Sequence, residues 1–294
     1  MSAKTITKNV QKYTHTTSPT SNLPRTHNLT LAYVSSLGVA SLMALLSTFS
    51  LLNRSNIYPT DELRLAFAAS DLFNLFVGFP ILLGSIWLAR RRNLFGLLCW
   101  PAALFYVAYM YLPYLIGLPF NLLFLPYLLL VVISIYTLVG LIFSLDGNEM
   151  KRQFAKQVPA RVSAGILIGF ALLISIRQSA FIITALTNRL AVDALELSVW
   201  IADFLLPVPM LFIVGIQLWR RKALGYTAAP ALFLGYGLLA LSLIPLSLMQ
   251  SFYTNASVDV WSIAVLLIMV LLCFIPLIPF YRGAIRSKTV SGTS

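Results

Sequence analysis

Charge is scarce in this sequence. Asp, Glu, Lys and Arg together make up 10% of its 294 residues, where a soluble domain of this size carries about a quarter. A water-soluble enzyme is therefore excluded on composition. Wholesale disorder is excluded as well, because disordered chains are poor in apolar and aromatic residues, and this one is 59% hydrophobic and 13% aromatic. Histidine is nearly missing. His15 and His27 both precede the first apolar run, which excludes b-type haem, intramembrane zinc peptidases and histidine proton relays. Cysteine occurs twice, as Cys99 and Cys273, each inside an apolar stretch with no CxxC or metal-ligand spacing. Both read as small core residues, and neither reports a redox compartment. No metal and no other cofactor is expected.

Familiar catalytic patterns are also missing. The chain has no GxSxG, no HExxH and no phosphate-binding loop. No lysine lies in an apolar run, so a retinal Schiff base has no attachment point. Two intramembrane aspartates bring paired-carboxylate proteolysis to mind, but neither Asp71 nor Asp203 carries a GxGD signature. The expectation is a protein that is not an enzyme.

What the chain does have is long apolar runs, with a mean hydropathy of +0.85. A helix crossing the hydrocarbon core needs roughly 20 apolar residues. Eight stretches qualify, at about 29–52, 64–89, 94–117, 121–145, 162–186, 195–219, 223–250 and 258–281. They are apolar on all sides rather than alternating, which excludes a β-barrel. The fold class is therefore all-α: a polytopic integral membrane protein with eight transmembrane helices. Residues 1–28 are polar and basic, and they lead into a run too long for a signal peptide. They are expected to form a disordered cytoplasmic tail.

Basic residues alternate in density from loop to loop. One side holds Lys4, Lys8, Lys12, Arg25, Arg90–Arg92, Lys151, Arg152, Lys156, Arg161, Arg220–Lys222, Arg282, Arg286 and Lys288. The other holds Arg54, Arg64 and Arg189, and Arg177 is left inside a span. The positive-inside rule then puts both termini in the cytoplasm. The basic clusters sit in short turns between apolar segments, which suits anionic lipid headgroups and not nucleic acid. The localisation expected is the plasma membrane (the inner membrane of a bacterium). Partners are the lipid bilayer, anionic lipids at the basic turns, and further membrane subunits or copies of the same chain.

A shift of 132 positions aligns two span entries. Asp61, Leu63, Leu65 and Asp71 fall on Asp193, Leu195, Leu197 and Asp203, and Trp87 falls on Trp219. Each basic turn that follows leads into a Leu/Gly stretch and a Pro-Ala pair, Pro101-Ala102 and Pro230-Ala231. The pattern predicts two tandem four-helix repeats, 29–145 and 162–281, in parallel orientation. A basic cytoplasmic linker at 146–161 joins them, and 282–294 forms a second cytoplasmic tail.

Three ionisable residues lie well inside spans: Asp71, Arg177 and Asp203. Each costs a few kcal/mol by insertion scales and needs a partner or a wet cavity. At 1.5 Å per residue all three lie roughly 10–15 Å below the outer surface, depths compatible with one polar layer. One arginine facing two carboxylates leaves excess negative charge, which asks for a proton, a cation or a cationic group. Alternatively, an Arg–Asp bridge fixes helix packing, or the two aspartates occupy separate cavities. Asn74 lies one turn from Asp71 on the same face, and Gln178 adjoins Arg177. Pro207 and Pro209 cannot donate to the carbonyls of Asp203 and Leu205, so a break is expected directly after Asp203, with a milder one at Gly78 and Pro80. These three prolines are the expected hinges. Tyrosines 106, 109, 111, 114, 127 and 136 read mostly as interfacial or packing residues. Tyr106 and Tyr136 are deep enough to require a hydrogen-bond partner.

The functional expectation is a small secondary transporter or permease. Its substrate- or proton-binding residues would be Asp71, Asn74, Arg177, Gln178 and Asp203. The alternative is a non-catalytic membrane subunit or lipid-interacting scaffold in which the same polar residues are structural.

Overall fold

The computed structural model describes residues 29–254 and 260–290. The stretch 1–28, expected as a disordered tail, lies outside the described residues, as do 255–259 and 291–294. Among the described residues, eight helices are long and apolar enough to span a membrane. They are α1 (Thr30–Leu52), α2 (Asp61–Arg90), α3 (Leu94–Gly117), α4 (Phe124–Phe143), α5 (Ala160–Thr187), α6 (Ala194–Trp219), α7 (Ala223–Ser251) and α8 (Val260–Ala284). They coincide with the expected runs to within about three residues, because length and hydropathy alone decide where a helix can cross. The chain is thus a multi-pass integral membrane protein.

Helix α3 is the hub. Of its most apolar stretch, 89% is buried, against 22% in α8. It packs against α2, α4, α7, the Ala194–Leu205 half of α6 and the Leu277–Val290 helix that ends α8. Helix α7 packs against α6, α8, α3 and the Asp61–Phe73 part of α2. Helices α1 and α4 pack together, whereas α5 and α8 share no substantial contact among the described residues. The first group of four is closed and the second is open on that side.

Two spans leave α-helical geometry just after their aspartates. In α2 the segment Asn74–Gly78 is a π-turn, and the Phe79 N–H reaches back five residues to the Asn74 carbonyl. Pro80 has no N–H for the Phe76 carbonyl, which favours that longer reach. In α6 the helix divides into Ala194–Leu205 and Pro207–Trp219. Leu206 between them adopts φ −121°, ψ −66°, and Pro207 and Pro209 remove two of the donors a continuous helix would use.

The turns from α2 to α3 and from α6 to α7 are built alike. Arg92 and Arg221 take φ of 56° and 52°, a left-handed conformation that costs a non-glycine residue about 1–2 kcal/mol. In each turn two N–H groups close back on the helix end: Arg92 to Ala89 and Asn93 to Leu88, then Arg221 to Leu218 and Lys222 to Gln217. Gly96 and Gly225 follow. A Cβ on Gly96 would lie 2.4 Å from Leu88 Cβ, and one on Gly225 2.4 Å from the Leu218 nitrogen. Both helix pairs depend on glycine for that approach.

Two short helices lie between spans, Arg54–Ile57 and Gly147–Phe154. The second falls inside the stretch expected as a plain linker. It forms because the Asp146 carboxylate accepts from the Asn148 and Glu149 N–H groups at its start. It stays because Met150 and Phe154 are buried, with Phe154 edge-on to Phe280 at 5.3 Å. At the other end of the chain, helix continues from Leu277 to Val290, into the stretch expected as a tail.

Gly96→Ala and Gly225→Ala should each destabilise the protein by about 1–3 kcal/mol through overpacking. Gly38→Ala, where an added Cβ meets nothing within 4 Å, should be near neutral. Thermal unfolding of the three variants in the same lipid or detergent checks this.

Candidate functional site

Asp71 lies in α2, three residues before the π-turn, and is fully buried. Its Oδ2 accepts from the Tyr58 phenol at 2.6 Å, and its Oδ1 from the Tyr114 phenol at 3.1 Å. Tyr58 stands just after the short helix Arg54–Ile57, which folds the loop back over the end of α2. Burial, and then the adjacent Asp71 carboxylate, raise the pKa of the Tyr58 phenol well above its ordinary value, so it remains a donor. Around this pair Ser47 bonds Tyr111 at 2.8 Å, and Ser50 bonds Tyr127 at 3.1 Å. Tyr111, Tyr114 and Tyr127 form a ring-on-ring cluster with centroids 5.0–5.8 Å apart. The Asp71 carboxylate is sealed beneath aromatic rings.

Asp203 lies in α6, three residues before the break at Leu206. Its Oδ1 accepts from the Tyr109 phenol at 2.7 Å and its Oδ2 from the Gln178 side-chain amide at 2.6 Å. Gln178 is buried, and its Oε1 has no hydrogen-bond partner among the described residues. On the π-turn, Asn74 accepts from Tyr106 at 2.7 Å and leaves its Nδ2 without a partner. Gly78 allows the Tyr106 ring to sit there, since a Cβ at that position would be 2.8 Å from the ring.

Arg177 is exposed on α5. Its guanidinium lies over the Phe181 ring, 5.2 Å from the centroid, and Phe181 in turn stacks on Trp200 at 6.5 Å. It forms no ion pair with either aspartate. Among the described residues the ion pairs are Arg64–Asp61 and Arg152–Glu149, both outside the deep parts of the spans. The expected Asp/Arg/Asp layer is thus not a bridged triad. Each carboxylate has its own hydrogen-bond donors, and the arginine uses an aromatic face instead.

Of the expected site residues, Gln178 and Asp203 are brought into contact. Asp71 and Asn74 are both buried, but each bonds a different tyrosine. Pro80 stands at the start of the Phe79–Arg90 segment, and Pro207 and Pro209 at the start of Pro207–Trp219. Tyr106 finds the partner its depth requires, whereas Tyr136 is exposed on the outer face of α4. Sequence reasoning passed over Tyr58 and read Tyr109 and Tyr114 as belt or packing residues. A phenol beside a carboxylate on another helix leaves no local pattern. The available signal was the excess of tyrosines on α3, five residues apart at 109 and 114, in a span that also has to serve two buried acids.

Comparison with protein-family models, with curated proteins and with solved structures returns no match.

Tyr58→Phe and Tyr114→Phe should each lower stability by about 1–3 kcal/mol, the cost of leaving a buried carboxylate oxygen without its donor. Tyr136→Phe should leave it unchanged. Parallel unfolding curves in one lipid composition decide this.

Proposed function

We propose that the chain is a small secondary transporter or permease whose proton- or substrate-binding site is built around Asp203, Gln178 and Tyr109. The observation that carries this reading is a buried carboxylate with no cation at bonding distance, placed directly before a break in its own helix. Broken helices at membrane depth are tolerated where protein or a cavity receives their freed backbone groups, and transport sites use them. The open side between α5 and α8 gives this half room to rearrange, whereas α1 and α4 close the other half. Pro207 and Pro209 are the hinge residues in this scheme, with Pro80 and the π-turn its stiffer counterpart. Asp71 and Asn74 then serve as the fixed half of the frame, and Arg177 tunes the charge near Asp203.

A tandem duplication of a four-helix unit underlies the arrangement. Its support is the pairing of Asp71 with Asp203, the departures from α geometry three residues beyond each, and the matched turns at Arg92 and Arg221 with their glycines. The basic turns face the cytoplasm and hold anionic lipid headgroups, both termini lie on that side, and the membrane is the plasma membrane. The protein catalyses no covalent reaction and works with the bilayer, further membrane subunits or other copies of itself.

A second reading, a membrane subunit or lipid-interacting scaffold, is favoured by the Asp71 cluster, where both carboxylate oxygens are satisfied internally. The two readings separate in proteoliposomes loaded with a pH-reporting dye and challenged with external amines, amino acids and sugars. Coupled flux is expected in the wild type and should fall by about tenfold or more in Asp203→Asn, with the unfolding midpoint retained. If the wild type moves nothing across the panel while Asp203→Asn loses thermal stability, the scaffold reading replaces the transporter.

A further inference from the structure

Beyond the break at Leu206, Pro207–Trp219 packs along α5, whereas the preceding half of α6, Ala194–Leu205, touches α5 only slightly and lies against α3. The divergence opens a groove of about 510 Å³ between the two helices, a size typical of a small-molecule site. Its walls are apolar: Ile182, Ala185 and Leu186 from α5, with Trp200, Ile201 and Phe204 among those from α6. Leu186, Ile201 and Phe204 are exposed, so the groove opens on an apolar face of the bundle that suits lipid chains. Phe204 directly follows Asp203, and Ile182 lies one turn along α5 from Gln178. Trp200, which lines the slot, likewise lies one turn from Asp203 on the same helix face, so the apolar slot ends beside the polar pair, which is itself buried and not part of the lining.

That pair has unused capacity of one kind. Gln178, 1% exposed, has an Oε1 without a partner. Asp203 accepts two neutral donors and touches no cation. Amide oxygen and carboxylate are both acceptors, so the complementary head is a hydrogen-bond donor with positive charge. A negative head would face the carboxylate, which Arg177 offsets only from a distance, without an ion pair. Joined to the slot, this describes a single class of molecule.

We propose that the α5/α6 groove is a lateral entrance from the bilayer for long-chain primary amines, with the ammonium head at Asp203 and Gln178 and the alkyl chain along the groove. This names a substrate class for the Asp203 site. It rests on the transporter reading for movement across the membrane, while binding stands apart from it. The other occupant is bilayer lipid filling the slot with no regard to headgroup.

Radiolabelled dodecylamine, binding to the full-length protein in phosphatidylcholine nanodiscs with empty discs subtracted, tests this. Saturable one-site binding is expected, with dodecanol about tenfold weaker or worse for want of the charged head. Ala185→Phe, which fills the groove without touching the polar pair, should weaken dodecylamine by about tenfold or more at an unchanged unfolding midpoint. Gln178→Leu should weaken dodecylamine and leave dodecanol unchanged, and amine binding unaffected by it would overturn the placement of the head. Equal uptake of amine and alcohol, unaffected by Ala185→Phe, would mean lipid filling and overturn the inference. Solute flux that depends on Asp203 without saturable amine binding overturns it and leaves the transporter reading standing. Saturable amine binding in a protein that moves nothing supports the groove and discards the transporter.

Discussion

A carboxylate inside a helix bundle, with no cation at contact distance, needs a donor for each oxygen, and much of the molecule is arranged around that need. Helix α3 provides one donor to each acid: Tyr114 to Asp71 and Tyr109 to Asp203. Five residues along a helix turn by about 140°, so these tyrosines address different neighbours from one central rod. That geometry explains why α3 is buried on nearly every face. It also explains why the second donors come from outside α3, Tyr58 from a folded-back loop and Gln178 from α5. Displacing α3 would expose both acids at once.

The two acids sit in comparable places but in unlike surroundings. Around Asp71 the short helix Arg54–Ile57, the serines of α1 and three mutually packed tyrosines close every side. Around Asp203 the helix is broken, the neighbouring amide keeps a free acceptor among the described residues, and α5 and α8 share no substantial contact there. Proline accounts for part of the contrast. A single proline two residues after a glycine is absorbed by one π-turn, whereas Pro207 and Pro209 in alternation remove two donors in succession and part the helix. In the proposed transport this contrast divides the labour, with a rigid half as frame and a looser half as site.

The failure of Arg177 to join the acids follows from helix direction. Gln178 points into the bundle toward α6, and its predecessor lies about 100° round the helix, at the edge. There the guanidinium finds the Phe181 face one turn on, which offers a cation some compensation without a carboxylate. Counting residues from the helix ends gives the three charges similar expected depths. Azimuth separated them.

The amino-acid sequence by itself determined the class, the eight crossings and their limits, because hydrocarbon thickness and the cost of charge act on each segment separately. It also determined the break after Asp203, since Pro207 and Pro209 lack their donors in any context. The pairing of donors with acceptors was decided by the tertiary structure alone. Tyr58 and Asp71 are separated by a loop whose path no local rule specifies, and Tyr109 and Asp203 by 94 positions. The short helix Gly147–Phe154 needed both levels. Its Asp146 cap is local, but Met150 and Phe154 gain their burial only from α7 and the end of α8. The open side between α5 and α8 likewise has no signature in either helix, because it is a property of how far apart two surfaces settle.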